Sequence, residues 1–361
     1  MCSRTSGRRR VSGGGHQTVL KIKMSEPNQI GSSPSSNTPL LSIVVVSWNT
    51  RDTLADCLAS IFQHTQLNFE VIVVDNDSAD RTVEMLKSDF PQVRVITNDS
   101  NRGFGRACNQ GMQASEGQLI LLLNSDTFVR DDVIAGMTYY MQSRPEVSMA
   151  ACQLRYPDGR VQHTAYRSLS IWRSLFEDLW IYKLVPSPKR EEMLLGGYWQ
   201  NDREIESDWL AGAFMMLRRD VFEKVGGFSE DFFMYGEDSE WCMRIRRAGH
   251  RIFYNPNGVA YHIGSVSSDI EWTQKERLRL CHLGGLRSYS KINGAVLGFF
   301  YQLARLLGSS VRLAVYSILA PLRMNDYYRI QRRVYAWQAE FYLQALMPGS
   351  GRFLSQVVTN E

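Results

Sequence analysis

Polar side chains capable of chemistry gather where apolar runs stop. The run from Leu119 to Thr127 reads Leu-Ile-Leu-Leu-Leu-Asn-Ser-Asp-Thr, so five apolar residues are followed at once by Asn124, Ser125 and Asp126. A buried strand of an α/β sheet that ends this way presents oxygens at the carboxyl edge, where such sheets bind ligands. Those oxygens suit a divalent ion bridging a diphosphate. Two further clusters, Ser47-Trp48-Asn49 and Asp75-Asn76-Asp77-Ser78, follow apolar runs in the same manner. Both lie where a doubly wound sheet offers side chains to a nucleotide. Asp75 can accept from a pyrimidine N–H or a ribose hydroxyl, or it can cap the helix that follows. In Asn101-Arg102-Gly103-Phe104-Gly105-Arg106, with Asn109 and Gly111 beyond, the glycines permit close backbone approach. The helix N-terminus there favours a phosphate. An acidic turn, Gly236-Glu237-Asp238, opens another helix.

Regular alternation supplies the elements that hold these clusters. The runs Leu41 to Val46, Val71 to Val74, Val93 to Ile96 and Leu119 to Leu123 read as strands buried on both faces. Helical stripes lie between them: Leu54, Leu58, Ile61 and Phe62, then Val83, Leu86 and Phe90. Such βαβ units imply a mostly parallel sheet inside an α/β/α sandwich. After Pro145 the pattern changes. Tyr156-Pro157-Asp158-Gly159 predicts a hairpin turn between Met149 to Arg155 and Arg160 to Ala165. Residues 168–207 show no clear period. A second block has an expected strand at Ala211 to Leu217, a helix at Asp220 to Val225 and a helix ending at Gly249. Short strands at Arg251 to Tyr254 and Val259 to Ile263 close it.

Composition narrows the class. The chain has 361 residues, 44% hydrophobic and 22% charged, with a net charge of +4, which is that of a globular protein and too weakly basic for a nucleic-acid binder. Six cysteines without Cys-x-x-Cys spacing suggest neither a disulfide framework nor a zinc site and fit a reducing cytosol. Residues 1–38 lack any apolar period and read as a disordered tail; Arg8 to Arg10 do not open a signal peptide, because no apolar stretch follows. A Rossmann dehydrogenase is set aside, since Ser47 to Thr53 contains no glycine.

The ordered set Ser-x-Asn, Val-Asp-Asn-x-Ser-x-Asp, Asn-x-Gly-Phe-x-x-x-x-Asn-x-Gly, Leu-Asn-x-Asp-Thr and Gly-Glu-Asp-x-x-x-x-x-Arg resembles the family 2 glycosyltransferases. Within them it is most similar to the rhamnosyltransferases of bacterial cell-surface polysaccharide assembly. The resemblance spans about Leu41 to Ser265. It implies a GT-A fold, an inverting reaction and a nucleotide-diphosphate sugar donor, dTDP-rhamnose or a UDP-sugar. It further implies a donor site drawn from Ser47, Asn49, Asp75, Asn76, Asn101, Gly103, Asn109, Asn124 and Asp126. A Mg²⁺ or Mn²⁺ ion falls to Asp126 and to His262, the latter resembling the family's C-terminal metal or phosphate ligand. Glu237 and Asp238 fall beside the acceptor, with Trp209 and Gly212 on the acceptor side. An inverting attack needs a carboxylate to take the acceptor proton, a role that suits Asp238, with Glu237 orienting it or binding an acceptor hydroxyl. The helix dipole is expected to keep Asp238 ionised. Asn124 departs from the family pattern, standing where many members carry an acid, which should weaken metal affinity.

These assignments divide the chain into a tail (1–38), a nucleotide-sugar half (39–150), an acceptor half (151–268) and a helical extension (269–361). In the extension, the segment Ile292 to Pro321 is apolar but interrupted by Arg305 and Arg312. Its uncharged stretches are too short for a span, so an amphipathic helix lying in the membrane interface is expected. Met324 to Leu346, with Tyr327, Tyr328, Tyr335, Trp337 and Tyr342, reads as a further interfacial helix. The expected enzyme works at the cytoplasmic face of a bacterial membrane on a lipid-linked or growing glycan. The alternative is a catalytically silent nucleotide-sugar-binding subunit of an assembly complex. Oligomeric state has no signal in the sequence.

Overall fold

Near-continuous apolar runs form strands here because helices cover both faces of the sheet. The structure, a computed structural model, describes residues 38–264, 273–323 and 325–347; the expected tail up to position 37 and Ser265 lie outside them. Strands β1 (Leu41–Ser47), β2 (Phe69–Asp75), β3 (Arg94–Thr97) and β4 (Leu119–Asn124) are parallel. They are joined by helices α1 (Arg51–His64), α2 (Thr82–Asp89) and α3 (Phe104–Ala114). The register sets Ser47 opposite Asp75, Val46 opposite Asn124 and Asp75 opposite Thr97, so the polar strand ends lie level along one edge.

The chain continues through β5 (Thr127–Val129), α4 (Val133–Gln142), β6 (Val147–Arg155), β7 (Val161–Gln162), β8 (Ala165–Tyr166), α5 (Ile171–Asp178) and α6 (Ser187–Leu194). Next come β9 (Ile205–Glu206), β10 (Trp209–Leu210), β11 (Phe214–Arg218), α7 (Arg219–Val225), α8 (Glu237–Arg247) and β12 (Arg251–His262). The main sheet runs β3-β2-β1-β4-β11-β6-β12-β5, with β7 added on β6 and β9 on β12, while β8 and β10 pair separately. Strand β11 is antiparallel to both neighbours, and β5 is antiparallel to β12. One core packs α1 and α4 on the sheet through Leu54, Leu58, Ile61, Met137 and Met141. The other packs α3 and α8 on the opposite face through Met112, Trp241 and Ile245.

Three departures from the sequence reading have local causes. The strand expected from Ala211 begins at Phe214, because residues 211–213 leave the ladder between β10 and β11. The two strands expected at 251–254 and 259–263 are one, interrupted where Pro256 lacks an N–H to donate and the register shifts between Asn255 and Val259. The aperiodic excursion 168–207 contains α5, α6 and β9.

Three helices follow: α9 (Gln274–Asn293), α10 (Ala295–Leu322) and α11 (Asp326–Leu346). Here the expected charge distribution is reversed. Arg305 and Arg312 do not face outward; the first lies 2.7 Å from the buried Asp178 carboxylate, and the second donates to the Asp178 carbonyl at 2.8 Å and to that of Glu177. Both cations therefore close the C-terminal end of α5, where free carbonyls and the helix dipole call for positive charge. The outward face of α10 is left apolar, with Val296, Phe300, Leu303, Leu307, Ile318 and Leu322 exposed.

Candidate active site

The loops after β1 and β2 brace each other before they offer anything to a ligand. Asn49, held in the left-handed region at φ 52°, donates its N–H to Ser78 Oγ at 2.9 Å and accepts from the Ala79 N–H at 2.8 Å. Ser47 shares a hydrogen bond with Thr50 at 3.0 Å, and Thr50 donates to Ser125 at 2.9 Å, a buried hydroxyl chain from β1 to β4. Asn76 donates to Asn101 Oδ1 at 2.9 Å and accepts from Asn98 Nδ2 and the Arg102 N–H, which pins the third loop. Gly103, at φ 81°, has no room for a side chain, since a Cβ would stand 2.6 Å from the Phe233 carbonyl. Asn109 lies apart from the strand ends in its bonding. Its amide donates to the Phe228 carbonyl at 2.9 Å and accepts from the Phe228 N–H at 2.8 Å. Asn76 and Asn109 thus spend both amide atoms on the fold. Asp75 differs: Oδ2 accepts from the Ser78 N–H at 3.1 Å, while buried Oδ1 has no hydrogen-bond partner.

A second cluster forms where β5 pairs with the end of β12. His262 stands opposite Thr127, which carries its ring to the end of β4. His262 Nε2 lies 3.2 Å from Asp126 Oδ1 and 3.3 Å from Asn124 Nδ2. Gly264, at φ 81°, folds its N–H back onto Asp126 Oδ2 at 3.0 Å. Burial opposes ionisation of Asp126, but the hydrogen bond and charge of His262 and the Gly264 N–H outweigh it, holding the carboxyl below its ordinary range. Asn124 Oδ1 is buried without a partner. A carboxylate, an imidazole nitrogen and an unused amide oxygen make a donor set that fits Mn²⁺ or Mg²⁺. Among the described residues no group of three His, Cys, Asp or Glu side chains could hold an ion. Phosphate oxygens would have to complete the shell.

The acidic turn is fixed by close backbone packing. Gly236, at φ 95°, and Gly284 of α9 face each other so tightly that a Cβ on the first would lie 2.6 Å from the Gly284 backbone. Asp238 Oδ1 accepts from the Ser239 N–H at 2.7 Å, and its carboxylate also accepts from the Gly212 N–H. The next residue, Ala213, accepts from the Asn124 N–H at 3.2 Å. Two consecutive residues between β10 and β11 therefore touch Asp238 and the start of the Asn124–Asp126 station. Glu237 is buried, with Oε2 unpartnered. Burial raises both carboxyls above their ordinary range, and the charge of Asp238 raises Glu237 further. For Asp238 desolvation is the largest cause, and the N–H groups of Ser239 and Gly212 oppose it, leaving the carboxyl at about 6. Trp209 is half-buried, stacks one face on Tyr166 at 4.2 Å and donates Nε1–H to the Arg167 carbonyl.

Residues without a signal in the sequence complete the site. Gln162 bonds His262 Nδ1 at 2.9 Å, and Gly264 and Gly284 act through the backbone. Glu240, wholly buried, pairs with Arg244 at 2.8 Å, and the Arg244 guanidinium donates to the carbonyls of Val225 and Gly227, tying α8 to them.

The sheet order is that of a GT-A fold. Solved structures share this architecture. A mannosyltransferase from Pyrobaculum calidifontis in complex with GDP-Man and Mn²⁺ superposes with TM-score 0.53 at 16% identity, covering 89% of this chain and 90% of that one. GalNAc-T7 with UDP, GalNAc and Mn²⁺ gives TM-score 0.51 at 15% identity, covering 86% and 57%. Residues 42–226, just over half of the chain, match the Glycosyl transferase family 2 domain, and the chain belongs to that family. Residues 198–265 also match a domain described as the N-terminal domain of galactosyltransferase. Among relatives, the N-acetylglucosaminyl-diphospho-decaprenol L-rhamnosyltransferase of Mycobacterium tuberculosis is 27% identical over 241 residues, covering 62% of this chain and 76% of that protein. The O-antigen biosynthesis protein RfbC of Myxococcus xanthus is 29% identical over 239 residues, covering 65% of this chain but only 18% of its own length. An uncharacterized protein of Sinorhizobium fredii is 27% identical, and this chain spans 27% of it.

Burial of the Glu237–Asp238 pair sets a pH dependence. An acid that binds its proton more tightly in the folded state stabilises the fold below its unfolded pKa and loses that contribution as pH rises through the raised native value. Relative to wild type, Glu237→Gln should therefore gain thermal stability progressively from about pH 5 to about pH 8. Parallel Tm curves for the two proteins would show that the pair is not strained by ionisation.

Proposed function

We propose that the enzyme is an inverting hexosyltransferase that moves a sugar, rhamnose or another hexose, from a nucleotide diphosphate to a lipid-linked or growing glycan in cell-surface polysaccharide synthesis. One observation carries this reading. The Gly212 N–H holds the Asp238 carboxylate while the adjacent Ala213 carbonyl holds the Asn124 N–H, so a proton acceptor and a diphosphate station share one short backbone segment. Inversion needs that pairing: a base on the acceptor side and charge neutralisation on the leaving side. Asp238, with its basicity raised by burial, takes the acceptor proton. Glu237, buried beside it, keeps a second carboxyl oxygen available for an acceptor hydroxyl. Asp75 offers its unpartnered Oδ1 to the base or ribose. Asp126, His262 and the Asn124 oxygen would hold a Mg²⁺ or Mn²⁺ ion, which when bound neutralises the diphosphate. The activity named for the mycobacterial relative supports a rhamnosyl donor and a polyprenyl-diphosphate acceptor. A silent binding subunit would have no use for a raised-pKa carboxylate placed beside the phosphate station.

The acceptor class and the outer face of α10 together support work at the cytoplasmic membrane surface. That face carries no charge and exposes large apolar side chains at both ends, with Ser310 and Ser317 between, and exposed Arg323, Arg329, Arg332 and Arg333 lie at its C-terminal end and on α11, where anionic headgroups would meet them.

Asp238→Asn should lower transfer by about 10²–10⁴-fold with donor binding retained, measured by turnover and by calorimetry with the nucleotide diphosphate. Turnover near that of wild type would remove Asp238 as the base. Replacing Val296, Phe300 and Leu307 together with Ser should abolish co-sedimentation with anionic vesicles and leave the fold intact by circular dichroism. Undiminished sedimentation would place the contact elsewhere.

A further inference from the structure

The contact between Gln162 and His262 has two arms. Gln162 Nε2 donates to the His262 backbone carbonyl at 2.5 Å, and His262 Nδ1 meets Gln162 Oε1 at 2.9 Å. A carbonyl can only accept, so the amide nitrogen must face it. That leaves the amide oxygen, also only an acceptor, against the ring. Nδ1 must then carry a proton; with Nε2 also protonated the ring bonds Asp126, and with Nε2 bare it presents a lone pair to a cation. Nε2 is the atom that lies 3.2 Å from Asp126 Oδ1 and 3.3 Å from Asn124 Nδ2. Without the clamp the competing tautomer is favoured, because Nε2–H would donate straight to the Asp126 carboxylate and close the site to a cation. The clamp's position follows from topology: β7 turns back on β6 through the bond from the Tyr156 N–H to the Arg160 carbonyl, setting Gln162 opposite Leu154. The neighbouring stretch of β6 pairs with β12, Arg155 facing Tyr261.

We propose that Gln162 is a positioning residue that locks His262 as the Nδ1–H tautomer, so that Nε2 faces Asp126 as a ligand for a divalent cation. The proposal rests on the reading of His262 as a ligand. It concerns the ring with Nε2 bare, the form a cation requires, and it gives the 156–162 hairpin a part in donor binding.

The tautomer is read directly by ¹⁵N and ¹³C NMR of histidine-labelled full-length protein on the alkaline plateau of the ring titration, the His262 signal being identified by its loss in His262→Asn. Affinity for Mn²⁺, with dTDP or UDP present, is read from the EPR signal of free Mn²⁺. Wild type should show Nδ1–H. Gln162→Leu should switch His262 to Nε2–H and weaken Mn²⁺ binding by about 10–100-fold, whereas Gln162→Glu, which keeps an acceptor opposite Nδ1, should retain the wild-type tautomer. An Nε2–H ring in wild type overturns the proposal without any variant, and so does Gln162→Leu with unchanged tautomer and affinity. If Gln162→Leu does not fold, the wild-type and Gln162→Glu spectra decide. A wild-type Nδ1–H ring with no Mn²⁺ uptake would uphold the lock and overturn the ligand reading instead.

Discussion

The antiparallel pairing of β5 with the last residues of β12 is the interaction on which the site depends. Asp126 sits just before β5, and the Gly264 N–H that bonds its carboxylate is 138 residues further along the chain. Three residue pairs, Thr127 with His262, Phe128 with Tyr261 and Val129 with Ala260, close that distance. Backbone bonds alone would make a short edge strand a weak fastening. Side chains reinforce it: Phe128 stacks on Tyr261 at 5.5 Å between centroids, and the Arg130 guanidinium lies 4.1 Å over the Tyr261 ring. Such contacts contribute about 0.5–1.5 kcal/mol each. The break around Pro256 lets β12 stay on β6 and still reach β5.

A second constraint links this station to the acidic turn. Leaving residues 211–213 outside the ladder frees the Gly212 N–H for Asp238 and directs the Ala213 carbonyl to Asn124. The other side of the turn is set by the Gly236–Gly284 contact, which brings α9 against α8. Thus the helical extension is part of the active-site scaffold as well as a surface. Its arginines illustrate the same economy. Arg305 and Arg312 secure α5 from the inside, and α10 can then present an uncharged face outward.

Much of the first half was legible in sequence, because buried parallel strands are apolar along their whole length and end abruptly in polar residues. The runs at 41–46, 71–74 and 119–123 mark β1, β2 and β4 to within two residues at each end. What escaped depends on pairing across long separations. Gln162 has no local signature, since its importance comes from a hairpin register and from a strand a hundred residues later. Asn109 carries a family motif but serves the Phe228 backbone, a distinction no spacing reveals. The direction faced by Arg305 was equally hidden, because its partner Asp178 lies in a stretch without period. Asp238 shows the same limit in energetics. Its helix N-terminus is visible in sequence, but the burial that raises its carboxyl is tertiary.

Strand pairing makes His262 a partner of Asp126, the proposed station for a metal-bound diphosphate. The most direct test is pulsed EPR of the enzyme with Mn²⁺ and dTDP or UDP, using protein labelled with ¹⁵N-histidine. The expected result is a ¹⁵N coupling to bound Mn²⁺ that disappears in His262→Ala. A bound ion without histidine coupling, or coupling that survives that substitution, would contradict it.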